Sequence, residues 1–213
     1  MMETEIELRK KIVHFGALLY QRHLAHGSAG NLSARLADGN FLVTPTNSSL
    51  GALTGDQISK VSADGKHIGG LPPSKEAFFH LAVYEERTTA GAIVHLHSSY
   101  AAAVSCLCHD DPSDVFPPLT AYQVMRLGKV PLLRYFQPGD RALADEVRAT
   151  AREHKAMLLA NHGPIVSART IEEAVYAYEE FEETAKISIM LNGRPISRLT
   201  ANAISNLEKA FPN

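Results

Sequence analysis

Three histidines of this 213-residue chain sit where their type and spacing could bind a metal. His95 and His97 are one residue apart at the end of the apolar run Ala92-Ile93-Val94, just before Ser98-Ser99. Side chains on a strand alternate between faces, so these two imidazoles share one face. Zinc takes imidazole and carboxylate ligands, and a catalytic site leaves one coordination position open. A third ligand should also come from a strand end, since rigid elements hold geometry best. His162 fits, following the apolar run Met157-Leu158-Leu159-Ala160 and preceding Gly163-Pro164, where the backbone turns. A lone histidine is most often packed or on the surface. A pair at a strand exit, with a third in a similar setting, favours metal.

Before the histidine strand stands Pro72-Pro73-Ser74-Lys75-Glu76, which opens a helix with Ser74 as the expected N-cap. Two readings of Glu76 stand side by side. Acidic residues favour helix N-termini on electrostatic grounds alone. Equally, Glu76 could aim a carboxylate into a metal cavity, beside exposed N–H groups, a serine hydroxyl and Lys75 that together suit a phosphate. The loops at Gly30-Asn31 and Thr44 to Ser49 are rich in small donors able to cradle a phosphate, although such loops alone are more often ordinary turns. Neither nucleotide-binding glycine pattern occurs, and no Gly-x-Ser-x-Gly elbow points to covalent hydrolysis.

The elements that must position these residues can be read coarsely. Periodicity predicts a helix from Glu5 to His26, stopped at Gly27. SAGNLSARL and DGNFLVTPT form a hairpin through Asp38-Gly39, and residues 61–66 give a further strand and turn. A helix over KEAFFHLAVYEER feeds the histidine strand, and a short helix spans Tyr100 to Leu107. Asp140 caps a helix through His154. AMLLAN and HGPIVSA are strands, and Thr170, with Glu173 at capping-box spacing, opens a long helix. Helices alternating with hairpin-connected strands imply one α/β domain over 1–213, with a mixed or largely antiparallel sheet.

Composition sets the outer limits. At 45% hydrophobic and 21% charged residues, the chain can bury a core without disulfides or structural metal, so any metal is functional. A net charge of −2 argues against a nucleic-acid or membrane surface. Cys106 and Cys108 are too close for an ordinary disulfide, which suggests reduced thiols. The charged opening residues MMETEIELRKK carry no apolar signal core, so a cytoplasmic protein is expected.

SAGNLSAR, LVTPT, PPSKE, the His-x-His of IVHLHS and the turn ANHGPIVSA occur in the order found in the class II aldolase/adducin family. The resemblance runs from Ile6 to Leu191. It implies a three-layer α/β/α fold around a largely antiparallel sheet and a homotetramer with sites between subunits. By position, His95, His97 and His162 resemble the family's zinc ligands. Glu76 resembles its acid/base carboxylate, which also reaches the metal when substrate is absent. Another divalent metal could replace zinc. Ser28, Gly30, Asn31, Thr46, Asn47, Ser74 and Lys75 resemble the phosphate-binding positions. The chain departs from the phosphosugar aldolases in having Ser-Lys-Glu for Ser-Ser-Glu and Asn47 for a glycine, and it has no tyrosine after Tyr178.

Ser74-Lys75-Glu76, PPLTAYQVMR and LLRYFQPGD are similar to the branch that decarboxylates 3-oxo-tetronate 4-phosphates. Such an acid loses CO2 readily once the electron pair left behind is delocalised as an enediolate, which zinc at the 3-keto and 2-hydroxyl oxygens would stabilise. Glu76, or a group that it positions, would protonate C2 to give dihydroxyacetone phosphate. Lys75 would pair with substrate carboxylate or phosphate. Tyr122 would supply a further hydrogen bond or proton, or simply pack. A phosphosugar aldolase or epimerase is the alternative, since aldol cleavage passes through the same kind of enediolate. A non-catalytic adducin-like interaction protein is the second, and it would have no need of the histidines and Glu76.

Overall fold

The computed structural model describes residues 3–211, so the ends of the expected 1–213 domain lie outside the described residues. Helix α1 (Glu5–Gln21) begins with a reciprocal capping box between Thr4 and Glu7. It ends at Gln21 rather than His26, because His23 takes a left-handed φ of 60° and the ladder cannot continue.

Strands β1 (Asn31–Arg35) and β2 (Phe41–Val43) form the expected hairpin, with Gly39 at φ 84° in its turn. A second hairpin follows in β3 (Ser59–Val61) and β4 (His67–Gly69). Then come α2 (Ala77–Glu86), β5 (Ala92–His95) and α3 (Ser99–Ser105). Helix α4 (Ala121–Arg126) and the two-residue strand β6 (Leu132–Leu133) are too short to leave a periodic signal. The chain continues through α5 (Ala142–Ala151), β7 (Ala156–Leu159), β8 (Pro164–Ala168), α6 (Ile171–Met190) and α7 (Ala201–Ala210).

Two expected caps are displaced. Ser74 and Asp140 each accept a hydrogen bond from the backbone two residues on, Glu76 N at 3.2 Å and Ala142 N at 2.9 Å. They close the lead-in turns, and Glu76 and Arg141 occupy the cap positions. The expectation for Thr170 holds, since its hydroxyl accepts from Glu173 N.

The eight strands form one sheet in the order β4-β3-β2-β1-β5-β8-β7-β6, antiparallel except for β6 with β7. Alternation along the strands divides the core in two. Leu32, Leu42, Val94, Leu158 and Val166 pack with Ile12 and Leu19 of α1 and with Tyr178 and Phe181 of α6. Phe41, Val43, Ile93, Met157 and Ile165 belong to the opposite cluster, with Phe79 and Val83 of α2 and Val147 of α5. This is the three-layer α/β/α arrangement that was expected. No helix among the described residues is long and apolar enough to cross a membrane.

Phe181 is fully buried, with its ring edge-on to Phe116 at 5.2 Å between centroids. Truncation by Phe181→Ala is expected to cost about 3–5 kcal/mol through lost burial and the cavity left behind. Urea unfolding would measure this as a lower midpoint with an unchanged slope.

Candidate metal centre

Pairing in register brings three strand ends to one place: Asn31 lies opposite His95 on one side, and Ile165 lies opposite His95 on the other. His95 ends β5, is fully buried, and lies edge-on to Phe79 at 5.2 Å. Leu96 turns into the α1/α6 core, so His97 returns to the His95 side as alternation predicted.

Two glycines make this turn possible. A Cβ on Gly30 would stand 2.6 Å from Leu96 Cδ2 and 2.9 Å from His95 O, and its φ of 82° is unfavourable for other residues. A Cβ on Gly163 would come within 2.4 Å of Leu96 O. The backbone on either side therefore closes directly onto the histidine turn.

His162 sits in the β7–β8 turn, where Asn161 adopts a left-handed φ of 56°. The end of α3 secures this turn, as Asn161 N donates to Ser105 O at 2.9 Å and His162 N donates to Ser105 Oγ at 3.1 Å. At the other end of α3, the buried Glu182 carboxylate accepts from Ser98 Oγ at 2.6 Å, Tyr100 N at 3.0 Å and Ala101 N at 2.9 Å. A carboxylate from α6 thus caps the helix that follows His97, and Ser98 also bonds Tyr178 Oη at 2.8 Å. Ser105 and Glu182 were missed in the sequence. Glu182 reads there as one of many acids along α6, and only its position on the core face distinguishes it.

The side chains converge. His97 Nε2 lies 3.1 Å from His95 Nε2 and 2.9 Å from His162 Nε2. Glu76 places Oε2 at 3.4 Å from His95 Nε2 and Oε1 at 3.4 Å from His162 Nε2. The ligating atoms of Glu76, His95, His97 and His162 all lie within 4.8 Å of one another. Tetrahedral zinc with bonds of about 2.05 Å would separate its ligands by about 3.3 Å, close to these spacings.

The protonation pattern fits as well. His95 Nδ1 donates to Pro164 O at 2.9 Å, which leaves the Nε2 lone pair facing the cluster. Burial, followed by the neighbouring imidazoles, holds His95 well below the ordinary histidine range and His97 at about 4. Burial lowers His162 too. Neutral imidazoles with lone pairs converging on one point, beside a carboxylate, make a donor set suited to a divalent cation.

The chain also resembles known proteins in sequence. The model for the class II aldolase and adducin N-terminal domain matches residues 10–189. The chain belongs to the class II aldolase and adducin family. Within the family, it is 47% identical over 205 residues to the 3-oxo-tetronate 4-phosphate decarboxylase of Escherichia coli K12, covering 96% of this chain and 97% of that protein. The crystal structure of YgbL from Escherichia coli superposes with a TM-score of 0.94 at 46% identity, covering 96% of this chain and 99% of that one. The L-fuculose phosphate aldolase of the same K12 strain is 33% identical over 183 residues, covering 85% of this chain and 82% of that protein.

The residues of this class II aldolase-family chain expected at a phosphate lie on connected segments. Asn31 Nδ2 donates to Glu76 Oε2 at 2.7 Å and reaches Ser74 Oγ at 3.2 Å. Thr46 N donates to Pro72 O at 3.0 Å, and Ser74 N donates to Thr44 O at 3.2 Å, with a bridge between Pro45 and Pro73. This zips the Thr46-Asn47 loop to Ser74-Lys75. Asn47 holds a left-handed φ of 52°, a conformation that asparagine tolerates better than most residues. Lys75 and Ser28 are exposed, and Gly30 leads into β1.

Within the single chain, Tyr122 stands apart from the histidine cluster. Helix α4 packs on α6 and α7, and it carries Tyr122 outward, 59% exposed and 5.8 Å beneath the Arg126 guanidinium. The groove it lines is completed by Arg126, Tyr176, Glu179, Glu180 and Glu183, none of them a member of the cluster.

The buried histidines make the metal-free protein acid-sensitive. Burial holds His80 of α2 at about 3 and His97 at about 4 in the fold, against an ordinary value of 6.5. Above that value both states are neutral. Below it, the unfolded chain binds protons that the fold refuses, so stability falls from about pH 6.5 down towards the folded values. At pH 5, His80 alone accounts for a loss of about 2 kcal/mol. Thermal melts of chelator-treated protein between pH 7.5 and 5 would show a falling Tm, and a flat profile would contradict the neutral assignments.

Proposed function

We propose that the chain is a divalent-metal-dependent decarboxylase of a 3-oxo-tetronate 4-phosphate, releasing CO2 and dihydroxyacetone phosphate. The supporting observation is 47% identity, over nearly the whole length of both chains, to an enzyme of that name. The convergence of Glu76, His95, His97 and His162 supports the metal dependence. Held by His95, His97 and His162, with Glu76 as a further ligand while no substrate is bound, a zinc ion would supply Lewis-acid stabilisation of the negative charge left when CO2 departs.

The chain's own residues perform the remaining work. Asn31, Ser74 and the zipped Thr46-Asn47 loop form a polar wall for the phosphate beside Glu76, with Gly30 and Ser28 at its edge. Lys75, exposed next to Ser74, supplies a cation for phosphate or carboxylate. Breaking the C1–C2 bond leaves an electron pair at C2, conjugated with the C3 carbonyl. Protonation at C2 then completes the product. Asn31 occupies Glu76 Oε2, so Oε1 is the oxygen in our reading that carries this proton.

The assembly belongs to the same proposal. Met190, Phe211, Tyr122 and Tyr176 are exposed, and burial between copies in a cytoplasmic homotetramer would account for such surface. The second reading is a phosphosugar aldolase or epimerase, favoured by the 33% identity to L-fuculose phosphate aldolase.

Purified wild type should contain about one metal ion per chain. It should release CO2 from a 3-oxo-tetronate 4-phosphate faster than it cleaves a ketose 1-phosphate, and the reverse order would favour the aldolase. His97→Ala should lose the metal. Glu76→Gln should retain it and lose about 10²- to 10⁴-fold in kcat. A Glu76→Gln enzyme of undiminished kcat would remove Glu76 from the proton-transfer role.

A further inference from the structure

A buried polar seam runs away from Glu76 between β1 and α2. Asn31, Ser33 and Arg35 alternate along β1 with Leu32 and Ala34, which face the α1/α6 core. Glu76 at the cap of α2, and His80 and Tyr84 within it, follow the four-residue spacing that lines one helix face. The two rows interleave. Tyr84 Oη lies 2.8 Å from Ser33 Oγ, and Ser33 Oγ lies 2.7 Å from His80 Nδ1. His80 Nε2 lies 2.5 Å from Asn31 Oδ1, and Asn31 Nδ2 lies 2.7 Å from Glu76 Oε2. Ser33 and His80 have no exposed surface, and Asn31 is 3% exposed.

The direction of each bond follows from the chemistry of its ends. A carboxylate only accepts, so Asn31 must turn its NH2 towards Glu76 and its oxygen towards His80. His80 must therefore donate from Nε2. Burial keeps the ring neutral, so Nδ1 is an acceptor, Ser33 donates to it, and Tyr84 donates to Ser33. All donors point towards Glu76. A seam of apolar residues would fold at least as well, since buried polar pairs add little net stability over well-packed apolar groups. What the polar seam adds is a fixed orientation for Asn31.

We propose that His80 is a positioning residue, which locks the Asn31 carboxamide through Nε2–H and thereby holds the Glu76 carboxylate in its working pose. His80 acts only through Asn31. Without the Nε2–H donor, the Asn31 oxygen is left buried and unpaired. The amide can then rotate to present that oxygen to Glu76, where it repels the carboxylate.

Only the kinetic part of the test rests on the decarboxylase reading. His80→Phe keeps a ring and removes the donor, so kcat for CO2 release should fall about 10- to 100-fold with little change in KM. His80→Gln, whose amide NH2 can stand where Nε2–H stood, should recover most of that loss at a similar Tm. A merely structural role would lower Tm in both variants and give no recovery. Independently of turnover, long-range ¹H–¹⁵N spectra of histidine-labelled, metal-loaded enzyme should show His80 as the Nε2–H tautomer. Ser33→Ala should leave that tautomer in place, because Asn31 Oδ1 still requires the Nε2–H donor.

An Nδ1–H tautomer in wild type, a wild-type kcat in His80→Phe, or equal loss in the Gln and Phe variants would overturn the proposal. If His80→Phe does not fold, His80→Met takes its place as the variant without a donor, and a wild-type kcat there, or an Nδ1–H tautomer in wild type, is the overturning result. If wild type releases no CO2, the functional reading fails and the tautomer alone decides the role of His80.

Discussion

The antiparallel register of β1, β5 and β8 is the constraint on which the rest of the structure depends. It sets Asn31, His95 and Ile165 side by side, so strands from distant parts of the sequence end at one point. A shift of one residue would turn every side chain of a strand to the opposite face. His95 would then point into the α1/α6 core, and Leu96 would point into the site. Burial of Ala92 and Val94 on one face and of Ile93 on the other makes that slip costly. The apolar residues of the strand thus secure the metal centre, although they contribute no ligand.

Crowding imidazole lone pairs within about 3 Å is itself unfavourable, and other parts of the fold hold it in place. Gly30 and Gly163 allow neighbouring backbone to close onto Leu96, leaving the turn little room to relax. Glu182, across the core on α6, caps the helix after His97, and Ser105 at the far end of that helix anchors His162. A short helix therefore links two of the ligands through its ends. Pro164 O fixes the tautomer of the remaining one. Each ligand is oriented by a group that is not a ligand, as precise metal geometry requires.

Asn31 and Ser33 of β1 meet His80 and Tyr84 of α2, while Ile93 of β5 and Ile165 of β8 belong to the apolar cluster on the same side of the sheet. The contrast separates a seam that orients a carboxylate from a core that only excludes water. The relation to both a decarboxylase and an aldolase is chemically reasonable on such a scaffold. Both reactions leave an electron pair beside a carbonyl, so one arrangement of metal donors and a carboxylate can serve either, and the choice lies in what leaves.

Local sequence determined much of this. The capping signals at Thr4 and Thr170, the Asp38-Gly39 hairpin and the alternation across Ala92 to His95 act over a few residues, and all were legible. The candidate ligands were legible because two histidines share one face at a strand exit, with a third in a similar setting, and because the motifs occur together in a known family's order. Ser105, Glu182 and His80 were not, since each gains its role from a partner at least 47 residues away in sequence. Helix α1 ended early through the conformation of His23, which no periodicity reports. Where Tyr122 stands within the chain, exposed on α4, was set by the packing of α4 on α6 and α7. Residue type and short-range spacing determined which groups were available for chemistry. Strand register and helix packing, which depend on distant apolar contacts, decided which of those groups meet.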